Sequence, residues 1–193
     1  MKKTLLSVAL LSSTLFGGDL FLGVNNVGGA GTVSLTKNDE SYTFRDTDEI
    51  STSGMKAYVG IGSIYAFYQS GTLTVDTMYM GNQDYTAFGL GYLKEGTPTK
   101  VMGINGRYLF DAYLGYDTMT SDGTGEFDKD KSGFLAGFTL GGGFSLASFD
   151  NVELTVGVGY ELHAVKDDDT ADNDDSTWNF GSIIYTTGLK VSF

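Results

Sequence analysis

Apolar and polar residues alternate with a period of two along most of the chain. In the last eight residues, Leu189, Val191 and Phe193 alternate with Gly188 and Lys190. A period of two is typical of a β-strand that buries one face, because successive side chains point to opposite sides of the strand. The pattern therefore predicts strands, and the last of them ends on an aromatic residue.

The same alternation predicts eight strands. Between them lie short turns, placed at 70–71, 81–84 and 148–151, and longer polar loops. The chain has 28 Gly, one Pro and 13% aromatic residues, a composition that suits strands and tight turns. No apolar run reaches the ~18 residues that a membrane-spanning helix needs. The predicted strands are residues 19–36, 54–69, 72–80, 85–93, 100–118, 132–147, 152–165 and 177–193.

Two glycine-containing segments interrupt the pattern. The apolar parity changes across Gly28–Gly31, which predicts a β-bulge, since one added residue moves the following side chains to the other face. Alternatively, this segment and Asn105-Gly106, a strong two-residue hairpin sequence, are both turns, and the sheet has ten strands. Ten strands would leave some of them shorter than the 9–11 residues that a membrane crossing takes, at about 45° of tilt.

The positions of the charged residues favour a membrane barrel. From Met55 onward, the apolar face of the predicted strands has no Asp, Glu, Lys or Arg in its interior, while the other face has charged residues among many small ones. A lipid-facing Lys or Arg at the membrane midplane costs about 2–4 kcal/mol, so a membrane selects against it. A soluble lipocalin-like barrel would expose the apolar face to water. A soluble β-sandwich would favour Lys, Glu and Thr on its polar face, where this chain has mostly Gly, Ala, Ser and Thr. We therefore predict an all-β, closed, antiparallel, eight-stranded transmembrane β-barrel.

The N-terminal segment has the features of a secretory signal peptide. Met1-Lys2-Lys3 is basic, the stretch from Thr4 to Phe16 is apolar, and Gly17-Gly18 supplies small residues for cleavage. We expect residues 1–18 to be the signal peptide and residues 19–193 to be the barrel. Without the two lysines of the leader, ten basic residues remain against 24 acidic ones, a net charge of −14. A chain this acidic is not expected to bind nucleic acid.

The last strand resembles that of a known family. Thr186, Gly188, Val191 and Phe193 supply a polar residue, a glycine, an apolar residue and a terminal aromatic residue at the spacing of an assembly signal. In this the chain resembles the small outer-membrane β-barrel family of Gram-negative bacteria, of the outer-membrane protein A and opacity-protein type. The resemblance implies recognition by the barrel-assembly machinery and insertion into the cell outer membrane, among lipid and lipopolysaccharide. We expect a monomer with both mature termini in the periplasm.

Charged and polar residues of the inner face form the first candidate site. Side chains nearly fill the interior of an eight-stranded barrel, and buried charges must be paired, so these residues predict a salt-bridged plug. The alternative is a narrow, cation-preferring path, because acids outnumber bases and many inward glycines leave room. The predicted lumen residues are Lys56, Asp76, Arg107, Asp111, Asp117, Glu153, Glu161, His163 and Lys190. The predicted inward glycines are Gly60, Gly62, Gly89, Gly91, Gly137, Gly141, Gly143, Gly157 and Gly159.

An acidic loop is the second candidate site. Clustered carboxylates can hold Ca²⁺ or Mg²⁺. The loop lacks the glycine and the terminal glutamate of an EF-hand, which favours a solvated surface loop and predicts no metal site. Divalent ions that bridge the loop to lipopolysaccharide phosphates are a further alternative. Its acidic residues are Asp167, Asp168, Asp169, Asp172, Asp174 and Asp175.

The sequence does not favour an enzyme. It has no cysteine, and its single histidine, His163, lacks the serine two residues later that lipid A deacylase barrels have; Val165 occupies that position. We expect no cofactor. The predicted function is that of a non-enzymatic outer-membrane barrel whose surface loops serve envelope integrity or surface contact and adhesion. The alternative is a narrow, porin-like channel for small solutes or ions.

The assembly signal can be tested at the last residue. Deleting Phe193 removes the terminal aromatic ring, and we expect less folded barrel in the outer membrane because the assembly machinery no longer recognises the strand. The outer-membrane yield of folded protein measures this effect. An unchanged yield would remove the role assigned to Phe193.

Overall fold

The computed structural model describes residues 19–37, 40–43, 50–75, 81–101, 104–121, 130–146, 149–167 and 176–193. The predicted signal peptide, residues 1–18, lies outside the described residues. No helix among the described residues is long and apolar enough to cross a membrane.

Eight long antiparallel strands form a closed barrel. β10 pairs with β1 along 17 residues, from Phe21↔Ser192 to Lys37↔Ser176, and thereby closes the sheet. Two short strands add to its ends, where β2 pairs with β1 and β6 pairs with β7. This confirms the predicted fold class. The strands are β1 Leu20–Lys37, β2 Glu40–Thr43, β3 Ile50–Ile61, β4 Ile64–Val75, β5 Asn82–Glu95, β6 Thr99–Val101, β7 Ile104–Ser121, β8 Lys131–Leu146, β9 Phe149–Asp167 and β10 Ser176–Ser192.

The register of the strands sets the size of the lumen. A row of paired residues that leaves β1 at Gly23 crosses every long strand in turn and returns to β1 at Val33, ten residues farther along. A closed sheet with such a stagger has strands that tilt by about 35–45°. At eight strands, the interior is just wide enough for side chains to fill it.

The ten-strand alternative is wrong. Gly28–Gly31 lies inside β1, and Asn105-Gly106 lies inside β7, so neither segment is a turn. The predicted bulge is wrong as well, since β1 pairs with β3 and β10 through Gly28–Gly31 without a shift in register. The apolar parity changes there because the inner face itself becomes apolar. Val33, which points into the barrel, is fully buried.

The predicted turn at 70–71 is also wrong. Ser70 and Gly71 lie inside β4, and the chain reverses at Gly62-Ser63, where Gly62 has a φ of 63° that glycine adopts without strain. A two-residue turn after Ile61 exchanges odd and even positions between the faces. Tyr65, Phe67, Leu73 and Val75, which the sequence pattern assigned to the outer face, therefore point inward and are buried.

With the turn between β3 and β4 at Gly62-Ser63, successive connections alternate between the two ends of the barrel. One end, here called the turn end, carries Gly62-Ser63, the β5–β7 connection, the short β8–β9 connection and both ends of the barrel chain. The opposite end, here called the loop end, carries the connections β1–β3, β4–β5, β7–β8 and β9–β10. The predicted turn at 81–84 is wrong, because β5 begins at Asn82, and positions 76–80 between β4 and β5 lie outside the described residues.

Large apolar side chains cover the outer face of the barrel and are exposed on it, as the predicted lipid-facing register requires. They come from all eight long strands. The outward set with the highest exposure includes Ile64, Phe88, Leu90, Tyr108, Leu114, Phe134, Ile183, Tyr185 and Phe193, at 58–66%. A surface of this kind is stable when hydrocarbon covers it.

A charge at the centre of this wall tests its contact with lipid. Leu114 lies on the outer face near the middle of β7 and is 60% exposed. Leu114→Arg should lower the free energy of unfolding in lipid vesicles by about 2–4 kcal/mol. Thr120→Arg, on the same face near the loop end, is the matched control and should cost about 0–1 kcal/mol. Urea titration measures both, and equal costs would contradict a lipid-facing wall.

Candidate functional site in the barrel lumen

Four charged side chains close the lumen near the turn end. Arg107 donates to Glu95 at 2.5 Å and lies 2.7 Å from Glu153, while Lys190 pairs with Glu95 and lies 2.8 Å from Glu153. β10 and β5 are four strands apart around the barrel, so the Lys190–Glu95 pair joins opposite walls. The two cations and two acids balance in charge. We call this group the ion ring.

The next level holds a buried lysine. Lys56, from β3, is 1% exposed and donates to Asp111 of β7 at 2.6 Å. Tyr65 donates a second hydrogen bond to the same carboxylate. The ammonium also lies 3.7 Å from the centre of the Tyr113 ring, a favourable cation–π arrangement. The lysine charge is therefore compensated inside the barrel, as a buried charge requires.

A histidine with two carboxylates occupies the third level. Nδ1 of His163 lies 2.7 Å from Asp117, and Nε2 lies 3.1 Å from Glu161. Glu161 also accepts hydrogen bonds from Gln69 at 2.9 Å and from Tyr113 at 2.6 Å. Gln69 of β4 and Glu161 of β9 lie four strands apart, so their bond also crosses the lumen. We call this group the histidine cluster.

Apolar side chains fill the lumen near the loop end. They come from seven of the eight long strands, and none is more than 4% exposed. We call them the apolar layer, and its only tryptophan, Trp178, stacks on Phe180 with ring centres 6.4 Å apart. Its members are Val33, Ile50, Leu73, Val75, Tyr85, Met119, Val165, Trp178 and Phe180.

Tyrosine rings occupy the space that inward glycines leave. A Cβ atom added at Gly91 would collide with the ring of Tyr65, and one added at Gly137 would collide with the ring of Tyr113. Gly62, predicted to face the lumen, lies in a turn instead. Gly91 and Gly137 thus admit large side chains from neighbouring strands, whereas Gly141 and Gly157 line a small cavity. The inward glycines therefore do not leave a continuous path for ions through the lumen.

A small cavity remains between the ion ring and Asp111. Its volume is about 30 Å³, and Thr139, Thr155, Thr186 and Lys190 contribute to its wall. A water molecule needs roughly 10–15 Å³ of this kind of volume, so the cavity has room for one or two waters. Its wall is mixed, because Leu93, Leu109 and Val156 lie beside the threonine hydroxyls, and Asp111 and Lys190 also contribute to it.

Eight of the nine predicted lumen residues are described, and all eight lie on the inner face. They fall into the three groups above. Asp76 lies outside the described residues. Glu95 was not among the predicted residues because the predicted strand ended at Leu93. Gln69 was not among them because the misplaced turn put this residue on the outer face. The Gly62-Ser63 pair, a sequence suited to a turn, was the signal that could have placed Gln69 on the inner face.

Of the acidic loop, only Asp167 is described. It accepts a hydrogen bond from the indole of Trp178 at 3.1 Å, and Lys131 lies 3.9 Å away. The remaining five predicted positions, 168, 169, 172, 174 and 175, lie outside the described residues. Within the described ranges, no three acidic or histidine side chains are grouped so that they could hold a metal ion.

Comparison of sequences finds no matching protein-family model and no matching curated protein. Solved structures do match. Neisserial surface protein A is 13% identical, with 90% of this chain and 97% of that chain covered and a TM-score of 0.52. The outer membrane protein OprG from Pseudomonas aeruginosa is 12% identical, with 91% of this chain and 96% of that chain covered and a TM-score of 0.46. The N-terminal β-barrel domain of OprF from the same organism is 10% identical, with 90% of this chain and 97% of that chain covered and a TM-score of 0.44.

The likeness to Neisserial surface protein A shows the fold. Together with the apolar outer wall, it identifies a small outer-membrane β-barrel, and the expected outer-membrane localisation is confirmed. At this level of identity the likeness does not extend to an activity.

The histidine cluster predicts a large loss of stability when one carboxylate is removed. Glu161→Leu leaves His163, Gln69 and the Tyr113 hydroxyl without their shared partner, and we expect the free energy of unfolding to fall by about 3–5 kcal/mol. Fluorescence of Trp178, the only tryptophan, can follow unfolding by urea in vesicles. Asp130→Leu, at an exposed carboxylate, is the control and should change stability by less than about 0.5 kcal/mol. Similar losses in both variants would contradict the network.

Proposed function

We propose that the protein is a non-enzymatic surface barrel whose closed lumen serves as a rigid support for its loops, and that it contributes to envelope integrity and surface contact. The observation that carries this proposal is the filling of the lumen. Hydrogen bonds and ion pairs cross it at three levels, and the apolar layer fills it at a fourth. A solute has no continuous route through such an interior.

The loop end would then face the outside of the cell. The four connections at this end come from a chain whose predicted mature form has a net charge of −14, so the exposed loops would favour cationic contacts or contacts bridged by divalent ions. Lipid and lipopolysaccharide would surround the apolar wall. This orientation follows the expectation that both termini are periplasmic.

The barrel-assembly machinery would recognise the last strand. Val191 and Phe193 point outward at the turn end, and the ring of Phe193 is 66% exposed. The Phe193 amide donates to the carbonyl of Leu20 at 2.8 Å, so the residue also closes the pairing between the first and last long strands. An exposed aromatic ring at this position supports the proposed assembly signal, with Thr186 and Gly188 on the inner face.

The surroundings of His163 support a role without catalysis. A catalytic base needs a ring nitrogen within reach of the substrate proton. Both nitrogens of His163 instead contact carboxylates, the residue is fully buried, and the Tyr85 ring packs edge-on against it at 4.7 Å between ring centres. The arrangement suits a packed structural group.

A narrow channel is the second candidate, and the ion ring favours it. Arg107 and Glu95 are each 27% exposed at the turn end, so water reaches this part of the lumen. Both cations contact both acids, and an exchange of pairs would loosen the ring. Conduction would also require the apolar layer to open, and that layer contains no charged side chain.

Planar bilayers separate the two candidates. The refolded protein should add no steady conductance to the bilayer, because the histidine cluster and the apolar layer block the lumen. Discrete openings, above all openings that become more frequent in acid, would overturn the closed-barrel proposal in favour of a channel.

Insertion must be shown in the same preparation. A folded barrel migrates differently on a gel before and after boiling, and the protein recovered from the bilayer lipid should show this difference. A silent bilayer that contains folded protein supports the closed barrel. The double variant Phe134→Ala/Phe138→Ala, on the lipid-facing wall, is the matched control and should remain as silent as the wild type.

A further inference from the structure

The single histidine of the chain lies between two carboxylates in the middle of the lumen. Nδ1 of His163 is 2.7 Å from Oδ2 of Asp117, and Nε2 is 3.1 Å from Oε1 of Glu161. All three side chains are fully buried. Each ring nitrogen therefore lies within hydrogen-bonding distance of a carboxylate oxygen, and solvent reaches neither contact.

The two contacts fix how many protons the ring carries. A neutral imidazole has one N–H, and the lone pair on its other nitrogen repels a carboxylate oxygen. An imidazolium donates from both nitrogens. Glu161 is itself an acceptor, because Gln69 and Tyr113 donate hydrogen bonds to it. Both contacts of His163 are therefore hydrogen bonds only when the ring carries two protons.

The lysines at the neighbouring levels of the lumen contact other acids. Lys56, toward the turn end, donates to Asp111 at 2.6 Å. Lys131, toward the loop end, lies 3.9 Å from Asp167. The imidazolium is thus the cation that lies between the two carboxylates of the histidine cluster. Without its second proton, the cluster would hold two buried negative charges and no positive one, which is strongly unfavourable.

The other side chains around the ring do not titrate near neutral pH. Phe180 of β10 and Leu135 of β8 pair with His163 in register and are apolar. Tyr85 of β5 packs edge-on against the ring, and Gln69 of β4 donates to the Tyr85 hydroxyl at 3.0 Å. A tyrosine ordinarily keeps its proton below about pH 10, and a glutamine has none to lose. The proton that can dissociate therefore belongs to the histidine and its two carboxylates.

We propose that the histidine cluster is a proton-binding site that the barrel fills as it folds. In an unfolded chain, a histidine has a pKa of about 6.5, so above this pH the ring carries one proton. In the folded barrel it carries two. Folding therefore takes up one proton from solution. Release of that proton from the folded barrel breaks one of the two hydrogen bonds and leaves a nitrogen lone pair facing a carboxylate.

The direction of the pH dependence follows from this count. The folded state binds more protons than the unfolded state, so the barrel loses stability as the pH rises above about 6.5. One proton corresponds to a fall of about tenfold in the folding equilibrium constant for each pH unit. Below about pH 6.5 the unfolded histidine is protonated too, and the contribution becomes constant. The site thus makes the closed lumen sensitive to alkaline solution.

Nuclear magnetic resonance tests the protonation directly, because one histidine gives one pair of ring-nitrogen signals. In protein labelled with nitrogen-15 histidine and refolded in detergent micelles, both ring nitrogens should carry a bonded hydrogen at about pH 8. The same protein unfolded in urea should show the neutral ring at this pH, well above the ordinary value of about 6.5. A ring nitrogen without a hydrogen in the folded barrel would overturn the proposal.

Two conservative variants test the proton count. Glu161→Gln and Asp117→Asn each place an amide beside one ring nitrogen, and its N–H can donate to the lone pair of a neutral ring. Between about pH 7 and 9, each variant should lose the tenfold fall per pH unit that the wild type shows in urea titrations. A wild-type pH dependence in both amide variants would overturn the proposal.

Ser182→Ala is the matched control for these variants. Ser182 pairs with Glu161 in register, and its hydroxyl lies 3.0 Å from that of Thr52. The variant removes this contact without changing a charge. It should therefore lower the stability but keep the wild-type pH dependence. Loss of the pH dependence in Ser182→Ala as well would show a general effect of lumen packing and would contradict a proton site at His163.

Discussion

The narrow lumen of an eight-stranded barrel is the constraint from which the rest of this structure follows. Eight strands with a stagger of ten residues leave room inside for side chains and little else. Every inward residue must therefore pack against residues from the opposite wall. Charges at this distance from water must pair, and aromatic rings must lie over glycines. The chain meets each of these demands.

The interior combines two ways of filling the space. Near the turn end, ion pairs and hydrogen bonds link strands that are far apart around the barrel, such as β10 with β5 and β4 with β9. Near the loop end, apolar side chains from seven strands form the apolar layer, and the buried Lys131 lies 5.6 Å from the centre of its Trp178 ring and 3.9 Å from Asp167. The first kind of contact is specific in direction and fixes which strands face each other. The second excludes water, and it explains why the single tryptophan is buried inside a barrel whose outer wall is also aromatic.

The sequence predicted the membrane barrel well because lipid imposes a simple rule on the outer face. Charged residues are excluded from it, and the exclusion is visible as a period of two. The inner face follows no such rule. Tyr65 and Phe67 are as apolar as Tyr68, so alternation alone could not tell which of them faces the lumen, and a turn misplaced from Gly62-Ser63 to 70–71 reversed the assignment. Val33 is likewise an apolar residue on the inner face, and the change of parity that it causes was interpreted as a bulge.

The cross-lumen partners were beyond the sequence for a different reason. Lys56 meets Asp111 and Gln69 meets Glu161 only because the closed sheet has its particular stagger, and no spacing along the chain encodes that number. The predicted lumen residues were therefore identified as a set, while their pairing required the structure.

Thiol accessibility at mid-lumen tests the filled interior most directly. Ser182 points inward, is 1% exposed and lies 3.0 Å from the Thr52 hydroxyl, so Ser182→Cys is nearly isosteric and introduces the only thiol. A small water-soluble thiol reagent should modify it only after the barrel is unfolded, whereas Ser63→Cys, in the exposed turn, should react at once in the folded state. Modification of Ser182→Cys in the folded barrel at a rate comparable to that of Ser63→Cys would show a water-filled path and contradict the closed lumen.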